Sequence, residues 1–156
     1  MYTTIPIDLM SICSKKTETE LYQLAFTDAL TEVYNRNALE ELRSQIDQAY
    51  VYVAMVDIDD LKTINDTQGH CTGDAAIKEV ADKLTSISEL VFRLGGDEFL
   101  LISTQSIINA TVPGASFGCI FKPSCMSLSE AMKAADYLLY TDKHNRKRLI
   151  LKGVLL

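Results

Sequence analysis

The sequence predicts an α/β (α+β) domain of the ferredoxin-like type, a mostly antiparallel central sheet flanked by helices. Three observations predict it. Tyr50 to Ile58 is a nearly unbroken apolar, β-rich run, which suits a central strand buried on both faces. Val91 to Ile102 carries two apolar runs around a Gly-Gly pair, the pattern of a β-hairpin with its tight turn at Gly95-Gly96. The order strand, helix, strand, hairpin, strand, helix, strand then fits a split βαβ sheet. At 156 residues, 47% apolar and 23% charged, the chain has the composition of one globular domain with a core.

Each element has its own signal. Residues 1–16 show no clear period, and Thr17 to Phe26 places Leu21, Leu24 and Ala25 at helical spacing, a short helix suited to packing or dimerisation. We expect residues 1–26 to form an N-terminal segment and 27–156 the domain. Thr27 to Thr31 is a polar loop, after which Asn35 can cap a helix with Leu39, Leu42, Ile46 and Ala49 on its apolar face. The strand to Ile58 ends in Asp57-Ile58-Asp59-Asp60, followed by a short helical turn from Leu61. The stretch Gly69 to Gly73 predicts a tight backbone turn, with Asp74 entering a helix that buries Ile77, Val80, Ala81, Leu84 and Ile87. After the hairpin comes a poorly patterned connection, Thr104 to Pro113, and then a strand from Ala115 to Phe121. Ser127-Leu128-Ser129-Glu130 reads as a capping box opening a helix with Leu128, Ala131, Met132, Ala135, Leu138 and Leu139 inward. Leu149 to Leu151 is expected as a final edge strand.

Charge and cysteine usage exclude several classes. Fifteen basic against 21 acidic residues give −6, which argues against a general nucleic-acid binder working by phosphate neutralisation. An anionic ligand must therefore be held locally. Basic residues do gather late, at Lys143, Arg146, Lys147, Arg148 and Lys152. Cys13, Cys71, Cys119 and Cys125 show neither C-x-x-C nor zinc-like spacing, so reduced thiols in a cytoplasmic protein are expected. No apolar run is long enough to span a bilayer, so no membrane partner is expected.

Chemistry concentrates in two acidic places. In a split βαβ sheet the third strand lies between the first two, antiparallel to the first, so the end of the first strand meets the beginning of the third. Asp57 is thereby expected beside Asp97 and Glu98. Adjacent carboxylates in apolar surroundings need a cation to offset repulsion and desolvation. Converging carboxylates make an oxygen-lined site suited to Mg²⁺, and two such ions can clamp an in-line phosphoryl displacement.

These residues carry a family resemblance. Gly95-Gly96-Asp97-Glu98-Phe99, preceded by Arg93, resembles the signature of the GGDEF diguanylate cyclases. Supporting motifs follow in order: Asp28-x-Leu30-Thr31 with Asn35-Arg36, Asp57-Ile58-Asp59 with Lys62 and Asn65-Asp66, Gly69-His70, Gly73-Asp74, Ser116-x-Gly118, and Ala135-Asp136 with Leu139-Tyr140 and Lys143. The resemblance covers about Thr27 to Leu151. It implies a palm-like domain that condenses two GTP into cyclic di-GMP with release of pyrophosphate, one GTP per subunit of a weak or transient homodimer. Carried over by position, Asp57 and Asp97 look like metal carboxylates with the Ile58 carbonyl as a further ligand, holding two Mg²⁺ or Mn²⁺ ions per site. Glu98 resembles the residue that binds the second metal or helps deprotonate the 3′-hydroxyl. Asn65 and Asp74 resemble the guanine readers. Lys143, with the backbone of Asp60, Leu61 and Lys62, resembles the triphosphate clamp, and Arg93, Gly95 and Gly96 fall in the nucleotide site.

The chain also departs from the family pattern. Arg146-Lys147-Arg148 stands where the family has Gly-Arg-Asn, leaving the second phosphate cation to Lys147 or a neighbour. Leu100 to Ala115 is shorter than usual, with little room for the usual helix. Glu32 replaces the usual glycine after Leu-Thr, and Asp60 and Leu61 replace aromatics. At the positions of the family's Arg-x-x-Asp product site stand Ser86-Ile87-Ser88-Glu89, so no tight inhibitory product site is expected there. Two rivals keep their place: a catalytically silent GTP-binding or interaction module, and a related cyclic-dinucleotide synthase with a different product.

Overall fold

A computed structural model describes residues 20–151, with side chains as far as residue 145. A helix, α1, is described over residues 20–26. There follow α2 (Arg36–Gln48), β1 (Val51–Ile58), α3 (Leu61–Gln68), α4 (His70–Thr85), β2 (Leu90–Gly95), β3 (Glu98–Ser103), β4 (Ala115–Lys122) and α5 (Leu128–Leu151). The sheet order is β2-β3-β1-β4 and every neighbouring pair is antiparallel, as the split βαβ reading requires.

β1 is the axis of the fold because both of its faces are buried. Ala54, Val56 and Ile58 pack with Leu61, Ile77, Val80, Ala81 and Leu84 of α3 and α4. Val51, Val53 and Met55 pack with Leu39 and Ile46 of α2 and with Leu128, Ala131, Ala135 and Leu139 of α5. A strand sandwiched this way shows no apolar/polar alternation. Gly118 of β4 is where α5 comes closest, since a Cβ there would collide with the backbone of Ala135 and Leu139.

The helix caps follow their sequence signals. The Asn35 side chain accepts from the Ala38 N–H at 3.1 Å. At α5, Ser127 Oγ accepts from the Glu130 N–H at 3.2 Å while the Glu130 carboxylate accepts from the Ser127 N–H at 2.9 Å, a reciprocal capping box. Lys122 is fully buried, and its ammonium donates to the carbonyls of Asp47, Ala49 and Pro123. Asp47 in turn accepts from the Leu128 N–H at 2.6 Å, so one buried cation and one carboxylate tie the end of α2, the end of β4 and the start of α5 together.

Four expectations are corrected. The hairpin turns at Gly96-Asp97, because Gly95 still pairs with Glu98 in the ladder. The Gly69-to-Gly73 turn shrinks to Gly69 alone, whose φ of +87° suits a residue without a Cβ, and α4 already begins at His70. Leu138 is 41% exposed rather than inward, since the buried stripe of α5 runs through Ala135 and Leu139. Residues 149–151 are the last turn of α5, not an edge strand; no glycine or proline interrupts the helix after Lys143.

Glu32 occupies the left-handed region at φ 60°, closing a turn in which its N–H donates to the Asp28 carbonyl at 2.8 Å. A Cβ in that region costs about 1–2 kcal/mol, part of which glycine gives back through its freer unfolded chain. Glu32→Gly is therefore expected to stabilise the domain by about 0.5–1 kcal/mol, read as a rise in the urea midpoint at constant slope.

Candidate active site

The β1–β3 register places the acidic residues together. Asp57 lies directly opposite Glu98, and the Ile58 N–H donates to the Asp97 carbonyl at 3.1 Å. On the other side Asp57 pairs with Ser116 of β4, whose buried hydroxyl donates to Asp59 at 2.6 Å. The backbone thus gathers Asp57, Asp97 and Glu98 at one end of the sheet. The side chains stop short of a cage: Glu98 is exposed, and among the described residues no three His, Cys, Asp or Glu side chains converge on one metal-sized point.

One cation already sits there. Lys143 of α5 places its Nζ 2.5 Å from Asp57 Oδ1. The alignment is that of a charge contact, and this buried oxygen has no well-directed hydrogen-bond donor. Burial pushes the Asp57 carboxyl above its ordinary range; the Lys143 ammonium pulls it back in part, and the charges of Asp97 and Asp59 push it further up. A buried carboxylate oxygen with unused acceptor capacity, beside a second carboxylate, fits a divalent cation that takes its remaining ligands from phosphates and water, as Mg²⁺ does.

The hairpin turn is held from behind. Arg93 Nη1 reaches Asp28 at 2.9 Å, while its Nε and Nη2 donate to the Gly96 carbonyl at 3.3 and 2.8 Å. Asp28 also accepts from the Leu30 and Thr31 N–H groups and the Thr31 hydroxyl. Burial works to raise the Asp28 carboxyl, but the hydrogen bonds from Arg93 and Thr31 and the charge of Arg93 outweigh it and hold it below the usual value. Arg36 donates to the Leu94 carbonyl at 3.0 Å, and Tyr34 bridges to β2 through Val91 and Arg93. Arg93, expected in the nucleotide site, is thus engaged in shaping the turn; its value there was missed in the sequence, although Asp28-x-x-Thr31 was the available signal.

The remaining candidates lie around α3 and α4. The Asn65 amide occupies the space where a Cβ on Gly73 would sit, next to the exposed Asp74, which lies one turn into α4. Asp60 is exposed in the left-handed region at φ 55°, Leu61 is buried and Lys62 is exposed at the start of α3. A Cβ on Gly95 or Gly96 would meet open space. The Lys147 side chain lies outside the described residues. Ser86 to Glu89 line an open cleft of about 480 Å³ with Ile102 to Gln105, in which no arginine stands.

The family described as diguanylate cyclase, GGDEF domain, matches residues 25–112, more than half of the chain. The diguanylate cyclase DgcP of Escherichia coli (strain K12) is 30% identical over 157 residues, covering 80% of this chain and 46% of that protein. The cyclic di-GMP phosphodiesterase PdeR of the same organism is 32% identical over 123 residues, 70% of this chain and 19% of that protein. The chain therefore spans less than half the length of either relative. Among solved structures, the GGDEF domain of DgcB from Caulobacter crescentus, in complex with c-di-GMP, aligns with a TM-score of 0.67 and 27% identity over 78% of this chain and 89% of that one.

The tether makes its own prediction. Arg93 and Asp28 side chains are only 13% and 24% exposed, between a surface pair and a fully buried one. Arg93→Ala is expected to cost about 1–2 kcal/mol at neutral pH in urea unfolding. The folded-state Asp28 pKa is depressed, so its contribution is present above the ordinary carboxyl value and lost as pH falls through the lowered folded one. The gap between wild type and Arg93→Ala should accordingly narrow below about pH 4.

Proposed function

The chain belongs to the GGDEF diguanylate cyclase domain family, and on that premise we propose that it condenses two GTP into cyclic di-GMP with release of pyrophosphate, Mg²⁺-dependent, across a homodimer. One observation carries the reading: the β1–β3 register that sets Asp57 opposite Glu98 with Asp97 at the adjoining turn. Asp57, Asp97 and the Ile58 carbonyl would hold two Mg²⁺ or Mn²⁺ ions, with Glu98 either binding the second ion or assisting deprotonation of the 3′-hydroxyl. When bound, such ions supply charge neutralisation on the phosphates and lower the pKa of an attacking hydroxyl. Lys143, paired with Asp57, would take up triphosphate charge, with Lys147 and the backbone of Asp60 to Lys62 as further phosphate contacts. The open space before Gly95 and Gly96, kept in place by Arg93, leaves room for the nucleotide. Two reactive ends must meet while one domain offers one site, hence the homodimer. No described helix is long and apolar enough to cross a membrane, which is compatible with the proposed cytoplasmic setting.

A second reading has specific support. Among the described residues no three His, Cys, Asp or Glu side chains converge on a metal-sized point, and a relative named as a cyclic di-GMP phosphodiesterase shares this region, so a catalytically silent GTP-binding module is the competing proposal. Incubation with GTP and Mg²⁺ followed by product identification separates it from the cyclase and from a synthase with another product.

Asp97→Asn should lower turnover by at least about 100-fold while the thermal midpoint stays near wild type, since it weakens a cation site and not the core. Unchanged turnover would remove the acidic cluster from the chemistry.

Base choice gives a second test. A carboxylate at Asp74 accepts from guanine N1 and N2, whereas adenine would leave it facing a lone pair, a mismatch of roughly several kcal/mol. GTP should thus be used far better than ATP, and Asp74→Ser should relax the preference. Gly73→Ala displaces the Asn65 amide, the far end of a flexible side chain, so it should leave stability level or slightly higher while raising the KM for GTP. Equal GTP and ATP turnover by the unaltered chain would overturn the guanine assignment.

A further inference from the structure

The chain leaves β1 in a turn that the start of β4 holds by two hydrogen bonds. Ile58 and Ala115 are the last paired residues of the β1–β4 ladder, and one step further the Asp59 N–H donates to the Gly114 carbonyl at 2.9 Å. The Ser116 hydroxyl then donates to Asp59 Oδ1 at 2.6 Å. Ser116 is the ladder partner of Asp57 and shares its face of the sheet, the one that meets Lys143 of α5. It is 1% exposed, so water has little access to take over its bond to Asp59.

These bonds decide where one main-chain oxygen points. A trans peptide sets the C=O of one residue opposite the N–H of the next, and the chain has no cis peptide. Because the Asp59 N–H is directed at β4, the Ile58 carbonyl is directed the other way, toward β3 and the Asp97 turn. The Ile58 N–H, donating to the Asp97 carbonyl, points to that same side, as expected of one residue in a strand. Secondary structure alone does not secure this orientation. β1 ends at Ile58, α3 starts only at Leu61, and between them Asp60 holds a left-handed backbone at φ 55° with no side-chain bond to cap the helix. A residue with a Cβ persists in that region only where its surroundings hold it there.

We propose that Ser116 is a positioning residue for the cation site: its hydroxyl, acting through the Asp59 carboxylate, fixes the Ile58–Asp59 peptide and keeps the Ile58 carbonyl turned toward Asp97. This role rests on the acidic end of β1 being the divalent-cation site of the proposed function. Ligands to a metal are commonly oriented by partners that do not touch it, and losing such a partner typically costs about 10–100-fold in affinity. Ser116 stands in that relation to the Ile58 carbonyl, two hydrogen-bonded steps away through Asp59.

Mn²⁺ binding to the full, nucleotide-free chain, followed by electron paramagnetic resonance, tests the role without reference to turnover. Ser116→Ala should weaken Mn²⁺ binding about tenfold while circular dichroism matches wild type. Asp59→Ala should weaken it by a similar factor, and carries the test if Ser116→Ala does not fold. The double variant should bind no more weakly than Asp59→Ala alone, because the hydroxyl acts only through that carboxylate. A folded Ser116→Ala chain with unchanged Mn²⁺ affinity would assign Ser116 to the fold alone. Losses that multiply in the double variant would make the two residues act separately, and a far larger loss at Asp59→Ala would make Asp59 a ligand itself. Each of these results overturns the proposal. Asp57→Asn separates this failure from a deeper one: Mn²⁺ binding that does not depend on Asp57 would remove the cation site and the positioning role together, whereas a loss there with none at Ser116→Ala strikes the positioning role alone.

Discussion

The antiparallel pairing of β1 with β3 is the constraint on which the rest depends. A strand with both faces buried has no freedom to slip, because moving it by one residue would exchange Ala54, Val56 and Ile58 with Val53, Met55 and Asp57 between two different cores. Since that register is fixed by packing, the position of Asp57 relative to Glu98 and Asp97 is fixed as well, without any direct contact among the three carboxylates. The acidic site is thus a by-product of core geometry at the strand end. This is why a cluster of like charges can persist in a chain that already carries net negative charge.

A second layer of order comes from behind the hairpin. Arg93 spans from Asp28 to the Gly96 carbonyl, and Asp28 is itself saturated by the Thr31 hydroxyl and two backbone N–H groups. Asn35 extends the connection, its amide donating to the carbonyls of Ala25 and Thr27 while its carbonyl caps α2. The end of α1, the loop to α2 and the tip of the hairpin are therefore tied together by side-chain hydrogen bonds.

Much of this was legible in the sequence because periodicity and caps report local physics. The apolar run to Ile58, the Asn35 cap and the Ser127-Glu130 box each specify an element without help from the rest of the chain, and the split βαβ order then specifies the acidic adjacency. What escaped were features set by pairs distant in sequence. Nothing local announces that Lys122 is buried on the carbonyls of Asp47 and Ala49, or that Ser116 serves Asp59. The hairpin turn was misplaced by one residue because two glycines look like a turn, whereas the ladder continues through Gly95. Leu149 to Leu151 form no final strand because no glycine or proline stands between Lys143 and Leu151 to stop α5, and propagation of an existing helix costs less than nucleating a strand.

Lys143 joins the two themes of core and charge. Burying Asp57 beside Asp97 and Asp59 raises its pKa, and an unpaired carboxylate there would be unfavourable. A lysine on the face of α5 that Leu139 anchors supplies the balancing charge from a long, flexible stem. The arrangement makes the ammonium the counter-ion of Asp57. The acidic end of β1 thus depends on a charge carried by α5, a helix that no glycine interrupts.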